Sequence, residues 1–158
     1  IERGATTLWE TWNGNPEEQL SYNMKIFGSI DKFFYKDLAG IRPAAPGFRR
    51  MVIKPCVVGD LTYVRASTHT VRGLVAVEWK RGDAALDMSV TIPVNSRAEL
   101  NVPKIGLQNV SIKEGSTTIW EDGTYTGGVA GINGGSQTSD YVTFDVGSGS
   151  YDLQLAGH

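Results

Sequence analysis

The chain has 158 residues, 41% of them hydrophobic and 20% charged. These are the proportions of a folded protein, and the length argues for one domain or little more. Fifteen basic against seventeen acidic side chains leave a formal charge of −2, which disfavours a nucleic-acid-binding surface, and no apolar run of the length needed to span a membrane is present.

The chain opens on Ile1-Glu2-Arg3, with no initiator Met and no apolar signal core, which suggests a piece of a longer polypeptide or a processed product. From Leu20 to Leu38 the apolar pattern is helical: Leu20, Met24, Phe27, Ile30, Phe34 and Leu38 recur every three or four residues, and Ile26, Phe33 and Tyr35 widen that face. Asn15-Pro16-Glu17-Glu18 reads as the helix start, with Asn15 as cap and Pro16 in the first turn. Gly40 reads as the stop, with Pro43 and Pro46 beyond it.

After Pro46 the period changes to two. Val75, Val77 and Trp79 alternate with Ala76, Glu78 and Lys80; Leu86, Met88, Val90 and Ile92 alternate with Asp87, Ser89 and Thr91; Tyr151, Leu153 and Leu155 alternate with Asp152 and Gln154. Each set predicts a half-buried strand. Turn signals such as Arg72-Gly73, Arg81-Gly82-Asp83, Glu114-Gly115-Ser116 and Glu121-Asp122-Gly123 fall between them. Short strands at this spacing predict an antiparallel β-sandwich. Thr124 to Ser139, rich in Gly, Thr and Ser, reads as a long surface loop. A lone helix cannot bury its own apolar face. Residues 1–46 therefore read as the end of a helical domain and residues 47–158 as an all-β domain. The unpartnered helix is expected to dimerise or fold back on the sandwich.

Cys56 is the one cysteine, so no internal disulfide and no cysteine zinc site can form; in its apolar run it reads as a small buried residue. Lack of disulfides fits cytosol and periplasm alike. With His69 and His158 as the other soft ligands, no metal or cofactor site is expected.

The densest chemistry lies in Gly4-Ala5-Thr6-Thr7-Leu8-Trp9-Glu10-Thr11-Trp12-Asn13-Gly14. Indole faces can cover an apolar sugar face, polar groups can bind its hydroxyls, and a carboxylate between them can activate water. By composition alone a structural loop is the simpler reading. Trp79 and Trp120 read as β-core. Asp31, near the apolar stripe, reads as half of an interdomain ion pair, and Arg49, Arg50 and Lys54 as a solvated strand face. Asp122, Asp140 and Asp145 have no calcium-loop spacing.

Gly4-Ala5-Thr6-Thr7-Leu8-Trp9-Glu10 resembles the late-barrel signature of bacterial α-L-rhamnosidases of glycoside hydrolase family 78. Ser21-Tyr22-Asn23, Phe27-Gly28-Ser29-Ile30, Ala39-Gly40-Ile41-Arg42-Pro43 and Pro46-Gly47-Phe48-Arg49 resemble the segments that follow. Ile53-Lys54-Pro55, Leu61 to Ser67, Gly73-Leu74-Val75 and Val90 to Asn95 resemble strands of the C-terminal β-domain. The similarity runs from about residue 4 to 102. It implies a mainly β chain: a β-sandwich preceded by one or two helices that end a truncated (α/α)6 barrel. It also implies an inverting hydrolase releasing terminal α-L-rhamnose, with Glu10 as general base and Trp9, Trp12 and Asn23 at the sugar. Inversion needs a second carboxyl roughly 6.5–9.5 Å away, and the family's general acid lies upstream of the residues present. The segment alone is therefore expected to be inactive, its partners being the missing barrel domain and a rhamnose-containing carbohydrate. Met24 stands where the family has a sugar-contacting His, which bears on substrate preference. The reading from a different class is a non-catalytic carbohydrate-binding or structural β-module, which an exposed aromatic row on one sheet would favour.

Overall fold

The computed structural model describes residues 4, 6–10, 17 and 21–157. Leu20, Trp12 and the start signal at Asn15-Pro16 and Glu18 lie outside the described residues, as does the side chain of Phe27.

The predicted helix is shorter and less regular than its apolar period implies. A 3-10 turn, Lys25–Ser29, leads into a single α-turn, α1 (Ile30–Phe33), and then a π-turn, Phe34–Leu38. The middle of its apolar face stays in solvent: Ile26, Ile30, Phe33, Phe34 and Tyr35 are all 41% exposed or more. Without a packed partner to hold one face in register, the period does not enforce one uniform helix. Leu38 and Ala39 are buried, and the helix ends at Gly40, as expected, with φ at +77°.

Twelve strands follow. β1 (Ile41–Pro43) and β2 (Arg50–Ile53) form a hairpin; β3 (Tyr63–Thr70), β4 (Gly73–Arg81) and β5 (Ala85–Ile92) form a meander. β6 (Arg97–Pro103) returns to the first sheet, β7 (Ser111–Glu114), β8 (Thr117–Glu121) and β9 (Thr124–Tyr125) extend the second, and β10 (Ile132–Gln137), β11 (Tyr141–Val146) and β12 (Gly149–Ala156) complete the fold. The five-stranded sheet has the order β1-β2-β6-β11-β10 and the seven-stranded sheet β3-β4-β5-β12-β7-β8-β9. The strands expected from alternation are β4, β5 and β12. They lie side by side as β4-β5-β12, with Val77 opposite Val90 and Val90 opposite Tyr151.

Neighbours are antiparallel except β2 and β6, which run parallel with Arg50 opposite Arg97. The parallel pair arises because the chain leaves β2 for three strands of the other sheet before coming back. Met51, Ile53, Leu100 and Phe144 face Val77, Trp79, Leu86, Ile119 and Leu153 across one continuous core. Trp120, only 2% exposed, is a core residue as expected.

The loop expected over Thr124–Ser139 contains β9 and β10. β10 lacks an apolar alternation because it is an edge strand whose only buried side chain is Ile132. Its register slips between Asn133 and Gly135, and a Cβ on Gly135 would lie 3.1 Å from both Phe144 and Trp120. Pairing with β11, not side-chain pattern, makes it a strand. Cys56 is half-buried rather than enclosed, because it sits in the chain leaving β2, beside Tyr141.

Candidate functional site

The described part of the N-terminal strip is two segments laid side by side. Glu10 N–H donates to Ser21 O at 3.0 Å, Met24 N–H donates to Leu8 O at 2.6 Å, and the Thr7 hydroxyl donates to Tyr22 O. These bonds bring Trp9 and Glu10 against Ser21-Tyr22-Asn23. Trp9 is half-buried and meets Tyr22 edge-to-face, centroids 5.3 Å apart at 85°, a favoured aromatic geometry. Asn23 is exposed, and its backbone N–H is held by the Ser21 hydroxyl at 3.2 Å. Met24 is half-buried in the same segment. Trp12 lies outside the described residues.

Glu10 is the one member of this group with an unmet requirement. The residue is half-buried, yet its Oε2 is shut off from solvent and has no hydrogen-bond partner. A buried carboxylate oxygen without a donor is costly, so it is a place where a donor from a substrate, a water or another part of a protein would be stabilising. The two paired segments carry an indole, a phenol, hydroxyls and an amide in addition to this carboxylate, and a carboxylate can accept a proton from an attacking water.

The strip is tied to the sandwich through backbone carbonyls at the helix end. Trp79, fully buried in β4, donates its Nε1–H to Leu38 O at 3.0 Å. Cys56 N–H donates to Asp37 O at 2.9 Å and Lys54 N–H to Gly40 O at 3.0 Å. Arg42 donates to Lys36 O at 2.8 Å and pairs with Asp37 at 2.5 Å. These donors satisfy carbonyls that a helix terminus leaves open. Asp31, expected in an ion pair, is exposed and has none among the described residues.

On the sandwich, Tyr141 donates to Pro55 O at 3.2 Å and lies beneath Lys54 Nζ, 4.5 Å from its ring centre. Burial holds its phenol above the usual value, with the nearby Cys56 and Asp140 adding to the rise and Arg42 opposing it. Burial, then Glu114, raises Tyr151 likewise; its hydroxyl donates to Gly147 O at 3.2 Å. No three His, Cys, Asp or Glu side chains cluster as a metal-binding group among the described residues, and no helix is long and apolar enough to cross a membrane. Sequence reasoning overlooked the convergence of Arg97 with Arg49 and Arg50. No periodicity could reveal it, because it depends on the parallel β2–β6 pairing.

Comparison with known proteins agrees with this geometry. Residues 1–38 match the bacterial alpha-L-rhamnosidase 6 hairpin glycosidase domain, and residues 40–117 match the bacterial alpha-L-rhamnosidase C-terminal domain. An alpha-L-rhamnosidase of Alteromonas sp. (strain LOR) is 36% identical over 110 residues, covering 65% of this chain and 12% of that protein. The structure of alpha-L-rhamnosidase from Dictyoglumus thermophilum superposes with a TM-score of 0.78 and 36% identity, covering 99% of this chain and 17% of that one. The Streptomyces avermitilis alpha-L-rhamnosidase complexed with L-rhamnose gives 0.68 and 28%, covering 98% and 14%. The chain thus spans less than a fifth of the length of each. It belongs to the bacterial α-L-rhamnosidase family and corresponds to that family's C-terminal portion, the last strip of the six-hairpin domain followed by the β-sandwich.

Proposed function

We propose that this chain supplies the general-base carboxylate, Glu10, to an inverting α-L-rhamnosidase, and that its sandwich braces the catalytic barrel. The observation that carries the reading is the buried, unpartnered Oε2 of Glu10 beside the Trp9–Tyr22 pair. In this reading Glu10 draws a proton from a water on the face of the rhamnose ring opposite the leaving oxygen. A carboxylic acid from the upstream barrel protonates that oxygen. Trp9 and Trp12 wall the apolar side of the sugar, and Asn23, exposed on the neighbouring segment, reaches a hydroxyl. Met24 offers no proton and no strong hydrogen bond, so the parent is expected to grip the sugar differently from relatives with His there.

Residues 1–46 then close the barrel and residues 47–158 form the bracing domain. The exposed stripe from Ile26 to Tyr35 is the surface that the rest of the barrel covers. In the isolated chain it is free to pair with a second copy. A stacking-type carbohydrate module is less well supported. The large exposed aromatic on the described strands is Tyr63 on β3, and Lys80 Nζ already lies 5.7 Å from its ring centre; no aromatic row accompanies it.

The test uses the full-length parent on an aryl α-L-rhamnoside. Replacing Glu10 by Gln is expected to lower kcat by about 10²–10⁴ with a smaller change in KM, the usual span for losing a general base. Proton NMR of the first-formed sugar should show the β-anomer, as inversion requires. The 158-residue chain alone should show no turnover, because base and acid are not both present. An unchanged kcat in the Gln variant, or α-rhamnose as the first product, would overturn the reading.

A further inference from the structure

The end of the sandwich where β2 and β6 begin gathers guanidinium groups that form no ion pair among the described residues. Arg49, Arg50 and Arg97 line one recess of about 540 Å³. The parallel register sets Arg50 opposite Arg97, and Arg97 N–H donates to Arg49 O at 3.1 Å, so backbone pairing fixes the three side by side. All three are exposed. Among the described residues the ion pairs belong to Arg42, Arg65 and Lys80, and none involves these arginines. Like charges facing each other across neighbouring strands are destabilising unless a counter-charge is supplied.

Two buried polar atoms nearby are also unsatisfied. Ser96, 4% exposed, lines the same recess, and its hydroxyl has no hydrogen-bond partner. Arg72 donates one terminal N–H to Asn95 O at 3.2 Å, while its Nε is buried without a partner. Unpartnered buried polar atoms call for an explanation such as a ligand.

The recess continues across the outer face of the five-stranded sheet as a second depression of about 640 Å³, which shares Arg50 and Arg97. There Glu99 lies opposite Asp145 and Asp145 opposite Asn133. The surface is thus cationic at one end and rich in carboxylate and amide groups beyond. Guanidinium forks match carboxylate and sulfate oxygens, and carboxylates and amides bind sugar hydroxyls. A long polyphosphate strand fits poorly, because Glu99 and Asp145 would repel it past the first charge.

We propose that this groove is a second carbohydrate site that binds an acidic saccharide, its carboxylate or sulfate held by Arg49, Arg50 and Arg97 and its hydroxyls by Glu99, Asn133 and Asp145. The site lies on the sandwich and works by charge rather than by stacking. It is independent of the role proposed for Glu10, because binding is read without turnover.

Calorimetric titration of the 158-residue chain with a xylotriose bearing a single glucuronate, a neutral-sugar disaccharide bearing a single sulfate and no carboxylate, and neutral maltotetraose tests it. One acidic saccharide or both should bind and maltotetraose should not, which also tells carboxylate from sulfate. Arg97→Ala and Arg50→Ala should each weaken binding about tenfold or more, and Arg97→Lys, which keeps charge but loses the fork, should recover only part. Arg65→Ala on the other sheet should change nothing. Arg49→Ala precedes β2 and gives the same readout without touching a strand, should either strand variant fail to fold. Absence of binding to both acidic saccharides at millimolar concentration would overturn the proposal. So would affinity unchanged in the arginine variants, or equal binding of maltotetraose, inorganic phosphate or duplex DNA.

Discussion

Replacing Gly40 by Ala tests whether the strip and the sandwich are joined as rigidly as the hydrogen bonds indicate. Gly40 has φ at +77°, where a side chain costs about 1–2 kcal/mol. Space is the larger problem. A Cβ there would lie 2.1 Å from Lys54 C and 2.3 Å from both Lys54 O and Pro55 N, against a comfortable separation of roughly 3.5–4.0 Å. The obstruction is backbone, so no rotamer change relieves it. The Lys54–Pro55 peptide must move, and the bonds on either side of it, Lys54 N–H to Gly40 O and Cys56 N–H to Asp37 O, must weaken, at about 1 kcal/mol each. The total is about 3–4 kcal/mol, which for a chain of this size lowers Tm by about 10 °C. Gly59→Ala is the control, since Gly59 has φ at +58° but nothing within 4 Å of a Cβ; it carries the conformational cost alone, about 1–2 kcal/mol. Urea and thermal unfolding, followed by circular dichroism and tryptophan fluorescence, measure both. Equal destabilisation by the two substitutions would refute the steric argument and with it the tight junction.

Trp79→Phe should cost about 2–4 kcal/mol in urea unfolding, because it opens a cavity in the core and leaves Leu38 O without its buried donor. Gly131→Ala should destabilise the β10 edge, since its φ is +89° and a Cβ would lie 2.4 Å from the Tyr151 hydroxyl; hydrogen exchange should speed up first in β10 and β11. Tyr141 and Tyr151 both ionise above their ordinary value of 10.0 in the folded chain. The folded state then holds more protons than the unfolded one once pH exceeds that value, so this stability is full below pH 10 and falls as pH rises further. Unfolding midpoints measured from pH 9 upward should decline, and Tyr141→Phe with Tyr151→Phe should flatten the slope.

What the sequence displays is whatever a repeating side-chain pattern controls. β4, β5 and β12 are legible because each buries every second residue against one core, and Gly40 because a chain reversal at positive φ favours glycine. β10 is illegible for the opposite reason. Its Ile-Asn-Gly-Gly-Ser-Gln run buries one side chain, and its backbone bonds to β11 make it a strand. The irregular turns from Lys25 to Leu38 hide beneath a regular apolar period, since the period records what a surface will touch and not which hydrogen bonds the backbone closes. The candidate site divides similarly. Trp9 and Glu10 are adjacent in sequence, but their approach to Ser21-Tyr22-Asn23 rests on backbone bonds that no composition reveals.

If the strip acts as proposed, the junction explains how a sandwich attached behind it can matter to chemistry it never touches. The outward side of the helix is apolar and free, while its inward carbonyls, from Lys36, Asp37, Leu38 and Gly40, are taken by donors from β1, β4 and the end of β2. Hydrophobic contact alone lets surfaces slide, because it has little directional preference. Four directional bonds at separate points do not. A strip so held offers its apolar stripe to a partner at a fixed height and angle, and the pairing of residues 7–10 with 21–24 joins Glu10 to the segment that leads into it. General-base catalysis loses rate steeply when a carboxylate is displaced by about 1 Å. If the sandwich sets that frame, substitutions at Trp79 or Gly40 in the parent should lower kcat even where the protein remains folded, and leave KM for a small aryl glycoside much less affected.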